Sequence, residues 1–290
     1  MHHLVARSRG VVVTRRVAAC LSVMLVASAL TAAGASALSA HGQLLRLAPG
    51  KGGAPRSNAN QSSNWFGYNQ GTVEQGGKLF NSITGNWTVP KATQHAKGQA
   101  EYSSDWVGIG GGCIDSGCVL TDSSLIQTGT EQDVGTNGKA AYSAWWEIIP
   151  APSLTITNMK VGAGDHMSAS IAEAVPDSNV WTITLKDLTR GESYSTTVPY
   201  SSTHATAEWI EETPLILGTN AGFAALPNLA RAPFDLATTD GQPAKLSASE
   251  EMQLVDSNGK VIGAPSAPDT DADGFNACAW ATACPAPSSS

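Results

Sequence analysis

The sequence predicts an all-β protein of antiparallel strands, a sandwich or a barrel. Short apolar stretches alternate with polar residues at a period of two, turn-forming residues separate them, and no long stretch repeats at the helical period. Across residues 181–186, Trp181, Ile183 and Leu185 share one strand face, with Thr182, Thr184 and Lys186 on the other. Met167, Ala169 and Ile171 line up in the same way over 166–171. Asp177, Ser178 and Asn179 are turn material between these two strands, and Thr189, Arg190 and Gly191 close the second.

The chain divides by composition. Residues 1–37 read as a cleaved export signal: Arg7, Arg9, Arg15 and Arg16 precede an apolar run from Val17 to Leu30, and Ala35, Ser36 and Ala37 offer a small-residue cleavage site. The run is too short and alanine-rich for a membrane anchor, so a secreted, extracellular protein with no membrane contact is expected. Residues 38–62, rich in Gly, Pro, Ser, Asn and Gln, read as a linker or short propeptide. Residues 63–287 then form one β-domain, and the Pro/Ser-rich end is a tail.

Charge narrows the function classes. The first 56 residues hold seven of the 17 basic side chains and no acidic one. The rest carry ten basic and all 24 acidic side chains, a net of −14. Such a surface excludes nucleic acid as a partner, because binding it requires Lys and Arg to neutralise phosphates. It suits either a protein working in acid or a plain acidic exoprotein. With Cys20 lost in the signal, Cys113, Cys118, Cys278 and Cys284 remain, and their close spacings favour two local disulfides, Cys113–Cys118 and Cys278–Cys284. Neither pair has a histidine beside it, which argues against zinc.

Common hydrolase signatures are absent: there is no Gly-x-Ser-x-Gly elbow and no His-Glu-x-x-His. His41, His95, His166 and His204 sit in no triad context. Asp115, Ser116 and Gly117 look like half of an aspartic-peptidase site, but that chemistry needs two carboxyls sharing a proton, and no second motif exists. Asp269, Asp271, Asp273 and Gly274 have the spacing that opens a calcium loop, yet Trp280 stands where the bidentate glutamate belongs, so an acidic turn is the expectation.

The remaining chemistry lies among aromatics and glutamates. Over 142–149, Tyr142, Ala144, Trp146 and Ile148 share one face, leaving Trp145 beside Glu147 on the other. A tryptophan and a glutamate on one face suit a groove that holds an extended polymer, peptide or sugar. Glu208, Glu211 and Glu212 crowd around Trp209 in "ATAEWIEETPLI", either as a solvated strand edge or as a reactive cluster.

Taken in order, "SSNWFGY", "NWTVP", "DWVGIGG", "LIQTG", "YSAWWEIIP", "VGAGDHM", "LKDLTRG" and "AEWIEETP" resemble the glutamic peptidases, or eqolisins, from about Ser63 to Pro214. The resemblance implies a lectin-like jelly-roll sandwich of two antiparallel sheets and a secreted acid endopeptidase without metal or cofactor, insensitive to pepstatin. It implies a catalytic pair: Gln127, from "LIQTG", and Glu212, five residues after Ala207 of "AEW". Glu208 and Glu211 are then non-catalytic. Trp106, Glu147, Tyr142 and Trp145 would line the groove or support it. Two positions depart from the family: Gly110 stands in place of an aspartate and Ser143 in place of another acid. Expected partners are protein or peptide substrates, and the chain is expected to be a monomer. The competing readings are a jelly-roll glycoside hydrolase using two of Glu147, Glu208 and Glu212, and a lectin-like module stacking sugars on Trp106 and Trp145.

Overall fold

Period-two alternation organises the folded chain as it does the sequence. The protein is described here by a computed structural model covering residues 39–41, 61–216 and 222–288. The expected export signal and most of the expected linker lie outside those residues. The longer strands are β1 (Trp65–Gly71), β2 (Ser82–Thr88), β3 (Glu101–Gly110), β4 (Leu125–Val134) and β5 (Ala140–Ile148). There follow β6 (His166–Glu173), β7 (Val180–Asp187), β8 (Glu192–Pro199) and β9 (Thr206–Glu212). The last four are β10 (Ala232–Thr239), β11 (Glu251–Val255), β12 (Val261–Pro265) and β13 (Phe275–Ala279). The only helical element among the described residues is a 3-10 turn at Ala248–Glu250.

Pairing follows one path, β8-β7-β6-β2-β10-β13-β12-β11-β1-β9-β3-β4-β5. Each neighbouring pair along it is antiparallel. Strand β11 joins the two layers, pairing with β12 of the first sheet (β8-β7-β6-β2-β10-β13-β12) and with β1 of the second (β1-β9-β3-β4-β5). Gln61–Ser62, just before the expected domain start, runs parallel to β11. The turn at 177–179 holds Asp177 and Asn179 at positive φ (64° and 55°), which short polar side chains tolerate best after glycine.

Between the layers, Val107, Ile109, Ile126 and Trp209 from the second sheet pack on Trp87, Met167, Ile171, Ile183 and Phe234 from the first. Two indoles staple the layers as well as filling them. Trp209 Nε1 donates to the Thr84 carbonyl of β2 at 2.7 Å, and Trp87 Nε1 donates to Thr130 Oγ1 of β4 at 3.0 Å. Buried indoles need such partners, because an unpaired N–H forfeits part of what burial gains. Gly85 clears the space: a Cβ there would come within 2.7 Å of the Trp209 ring.

The second sheet is buried on its outer face too. There Trp65, Trp106, Leu125, Trp145, Ile210 and Met252 form a second apolar cluster around the Cys113–Cys118 disulfide. The other expected disulfide, Cys278–Cys284, also forms. Because β9 lies between β1 and β3 and every residue in it is buried, its glutamates are not a solvated edge.

Candidate active site

Register places the site on the outer face of the second sheet, in three rows. Glu208 of β9 lies opposite Gly108, which lies opposite Gln127, which lies opposite Glu147. In the next row Ile210, Trp106, Gly129 and Trp145 follow one another. In the third, Glu212, Ser104, Glu131 and Ser143 do so. Paired residues across a sheet share a face, so four strands bring together residues that the sequence scatters from Ser104 to Glu212.

Glu212 is fully buried, and its Oε2 accepts from Trp106 Nε1 at 2.9 Å. Trp106 is itself packed edge-on against Trp65, their centroids 4.8 Å apart. Gln127, also fully buried, donates from Nε2 to Glu147 Oε2 at 2.9 Å, while its Oε1 has no partner. Burial pushes the Glu147 carboxyl up to about 8; Glu212 nearby adds to this, and the His41 charge and the Gln127 amide oppose it. Below that value Glu147 is neutral, and it still accepts the Gln127 hydrogen bond.

A segment distant in sequence completes the site. His41 is buried, with Nδ1 3.2 Å from Glu212 Oε2 and Nε2 3.0 Å from Glu131 Oε1. Its ring stacks on Trp145 at 3.6 Å and 9°. Its carbonyl accepts from Gln127 Nε2 at 3.5 Å. Just before it, Ser39–Ala40 pairs antiparallel with Leu215–Ile216 beyond the end of β9. Burial alone would lower the imidazole, but hydrogen bonds to Glu131 and Glu212, with their charges, lift it to about 10. Within the region expected to be a linker, His41 therefore sits as an imidazolium between two carboxylates.

Of the expected site residues, Gln127, Glu212, Trp106, Glu147 and Trp145 share the outer face. Tyr142 does not, and this corrects the expectation: it pairs with Gln132 on the opposite face, packs against the inter-sheet core, and its hydroxyl accepts from the Ala92 N–H at 3.1 Å. Sequence parity already separates Tyr142 from Trp145; only the motif match put them together. Glu131 and His41 were not anticipated. Glu131 lies four residues after Gln127 and is legible by strand alternation, whereas nothing local to His41 marks it. Ser143 donates to Glu131 Oε2 at 3.1 Å. Gly110 has a structural reason for departing from the family: at φ +94° a Cβ would lie 2.3 Å from the Ser124 carbonyl, so no aspartate fits there.

The other two glutamates of β9 sit in different surroundings. Burial raises the Glu208 carboxyl well above the ordinary value, with the Thr206 side chain opposing it. Glu211 points to the inter-sheet face directly opposite Asp105 of β3, and both are fully buried. Burial, and then the Asp105 charge, raises Glu211 well above its ordinary range, and Asp105 is pushed up to about 7 by burial.

Known proteins bear on this geometry in three ways. The Peptidase A4 family pattern matches residues 63–272. Among solved structures the chain is similar to scytalido-glutamic peptidase with a transition state analog inhibitor, at 20% identity and a TM-score of 0.58, over 75% of this chain and 98% of that one. It is also similar to SCP-B, a member of the eqolisin family, in a complex with the tripeptide Ala-Ile-His, at 20% identity and a TM-score of 0.54, with 75% and 98% covered. At these identities the likeness establishes the shared β-sandwich. No curated protein matches the chain.

Proposed function

Because the chain belongs to the peptidase A4 family, we propose that it is a secreted acid endopeptidase in which Glu212 is the general base and Gln127 the oxyanion donor. One observation carries the assignment: a single residue, His41, touches Glu212 through its ring and Gln127 through its carbonyl. A peptide lying there presents its backbone carbonyl to the amide of Gln127 within reach of the Glu212 carboxylate.

The chemistry follows from these groups. Ionised Glu212, oriented by the Trp106 N–H, takes a proton from a water molecule. The water oxygen attacks the scissile carbonyl carbon, and the Gln127 NH2 donates to the oxygen as negative charge builds on it. The unpartnered Gln127 Oε1 is placed to accept from the attacking water. As the C–N bond breaks, Glu212 returns its proton to the leaving amine. Glu147 fixes the rotamer of the Gln127 amide by accepting its other hydrogen. A free glutamate titrates near ~4.3, so a base of this type suits acidic conditions. No step uses a metal or a second acidic dyad, so EDTA and pepstatin leave the rate unchanged.

Residues 38–62 are, on this reading, a propeptide that holds the enzyme latent through His41. The imidazolium occupies Glu212 and Glu131, and its stack on Trp145 covers the groove. An ion pair of an imidazolium with carboxylates weakens in acid, so acid exposure releases the segment and leaves Glu212 free to act as the base. Full-length chain assayed on denatured casein should be inactive near neutrality and gain activity after acid exposure, whereas His41→Ala should need no such exposure. Glu212→Gln should remain inactive after acid. Casein cleavage by Glu212→Gln at the wild-type rate would overturn the catalytic assignment, and equal latency in wild type and His41→Ala would overturn the latch alone.

A further inference from the structure

The acidic turn set aside in the sequence finds its missing ligand in the fold. Asp269, Asp271, Asp273 and Gly274 open like a calcium loop but reach Trp280 where the closing carboxylate belongs. The turn connects β12 to β13, and β13 pairs with β10 through Phe275 and Phe234. That pairing sets Asp235, the next residue of β10, beside the turn. One oxygen each from Asp235, Asp269 and Asp273 lie within 4.8 Å of one another. Ligands on opposite sides of a calcium ion, each at about 2.3–2.6 Å from it, stand about 4.6–5.2 Å apart.

A second observation is independent of this clustering. Asp273 is only 9% exposed, and its Oδ1 is sealed from solvent with no hydrogen-bond partner. Among the described residues no Lys, Arg or His forms an ion pair with any of the three aspartates. A buried carboxylate oxygen facing other carboxylates, with no donor, is an uncompensated charge that a cation would satisfy. The backbone meanwhile prepares the other two. The N–H groups of Asp273 and Gly274 both donate to Asp269 Oδ1 at 3.2 Å, and that of Leu236 donates to Asp235 Oδ1 at 2.8 Å. Gly274 makes the convergence possible, since a Cβ there would lie 2.3 Å from Asp269 Oδ2 and 3.1 Å from Asp235 Oδ1. Asp235 also lines an open cleft of about 490 Å³, with Asn86, Thr88 and Thr189, which gives an ion an entry path and room for coordinating water.

We propose that Asp235, Asp269 and Asp273 bind one calcium ion that ties the turn between β12 and β13 to strand β10. The ligand set is all oxygen and fills only part of the six to eight positions a calcium ion takes, so water supplies the rest. Asp271 is exposed and outside the cluster. The ion lies on the sheet that does not carry Glu212 and Gln127, so its effect is on stability rather than on the chemical step.

The test is calcium titration calorimetry and thermal unfolding of the EDTA-stripped full-length chain at neutral pH. Wild type should bind one ion per chain with a dissociation constant of about 10⁻⁴–10⁻³ M, and saturating calcium should raise Tm by roughly 2–4 °C. Asp273→Asn and Asp235→Asn should each weaken binding by about tenfold or more while unfolding no earlier than wild type in EDTA, because each removes a repelling charge. Asp271→Asn should leave binding within about twofold. Absence of binding heat and of any Tm change in wild type at millimolar calcium overturns the proposal. So does a calcium response that persists undiminished in both Asp273→Asn and Asp235→Asn.

Discussion

Glu211 and Glu212 are neighbours in one strand, buried to the same degree, and their surroundings differ in almost every other respect. Glu212 faces outward, where the indole N–H of Trp106 and the imidazole of His41 meet its carboxylate. Glu211 faces inward, opposite Asp105, whose like charge opposes its ionisation. Two like charges facing each other across a sheet repel, so this inner pair is stable only when at least one carboxyl is neutral. Burial alone therefore does not make a catalytic carboxylate. What distinguishes Glu212 is that donors reach it, and that the residue whose ring meets it, His41, also brings its carbonyl to Gln127.

The comparison can be broken first at the amide that shares the outer face. Gln127→Ala should slow peptide hydrolysis by a factor of about a hundred to a thousand, the usual effect of losing one oxyanion donor, read as kcat on a quenched peptide in acid. An unchanged kcat would remove Gln127 from the reaction. The inner face should be silent in that assay and visible in stability. A carboxyl raised in the fold binds its proton more tightly folded than unfolded. The stability Asp105 lends is therefore complete below the unfolded value near ~4 and is lost as pH rises through about 7, and that of Glu211, raised in the same direction, is likewise lost as pH rises. Wild type should accordingly unfold at falling temperature from about pH 4 to about pH 7. Glu211→Gln should flatten that slope, raising Tm near neutrality by roughly 2–4 °C or more. A slope unchanged by Glu211→Gln would show that the pair does not set it. The smallest effect belongs to Tyr142→Phe, which removes the acceptor of the Ala92 N–H: about 1 kcal/mol, or roughly 2–4 °C in Tm, with kcat unaltered. A large fall in kcat would return Tyr142 to the site.

Much of this division was legible in the sequence. Alternation through "YSAWWEIIP" separates Trp145 and Glu147 from Tyr142, Ala144 and Trp146, and the strand pairs sort them in that way. The same parity, applied to "LIQTGTEQ", carries Glu131 along with Gln127. Cysteine spacing gave both disulfides, because bridges five and six residues apart are local matters. His41 was not legible: it meets Glu212 across 171 residues, through backbone pairing that leaves no periodic mark in a Gly- and Pro-rich stretch. The acidic turn was half legible, since its third carboxylate arrives from another strand. Gly110 read as a lost acid and is instead a backbone requirement at positive φ.

The most direct measurement sets the two neighbours side by side: kcat/KM of acid-activated Glu211→Gln and Glu212→Gln on one peptide substrate, each shown to be folded by circular dichroism. Loss of a general base should lower the Glu212→Gln value by about 10²–10⁴, while Glu211→Gln stays within about threefold of wild type. Equal losses in the two variants, or a greater loss in Glu211→Gln, would contradict the assignment of Glu212 as the base.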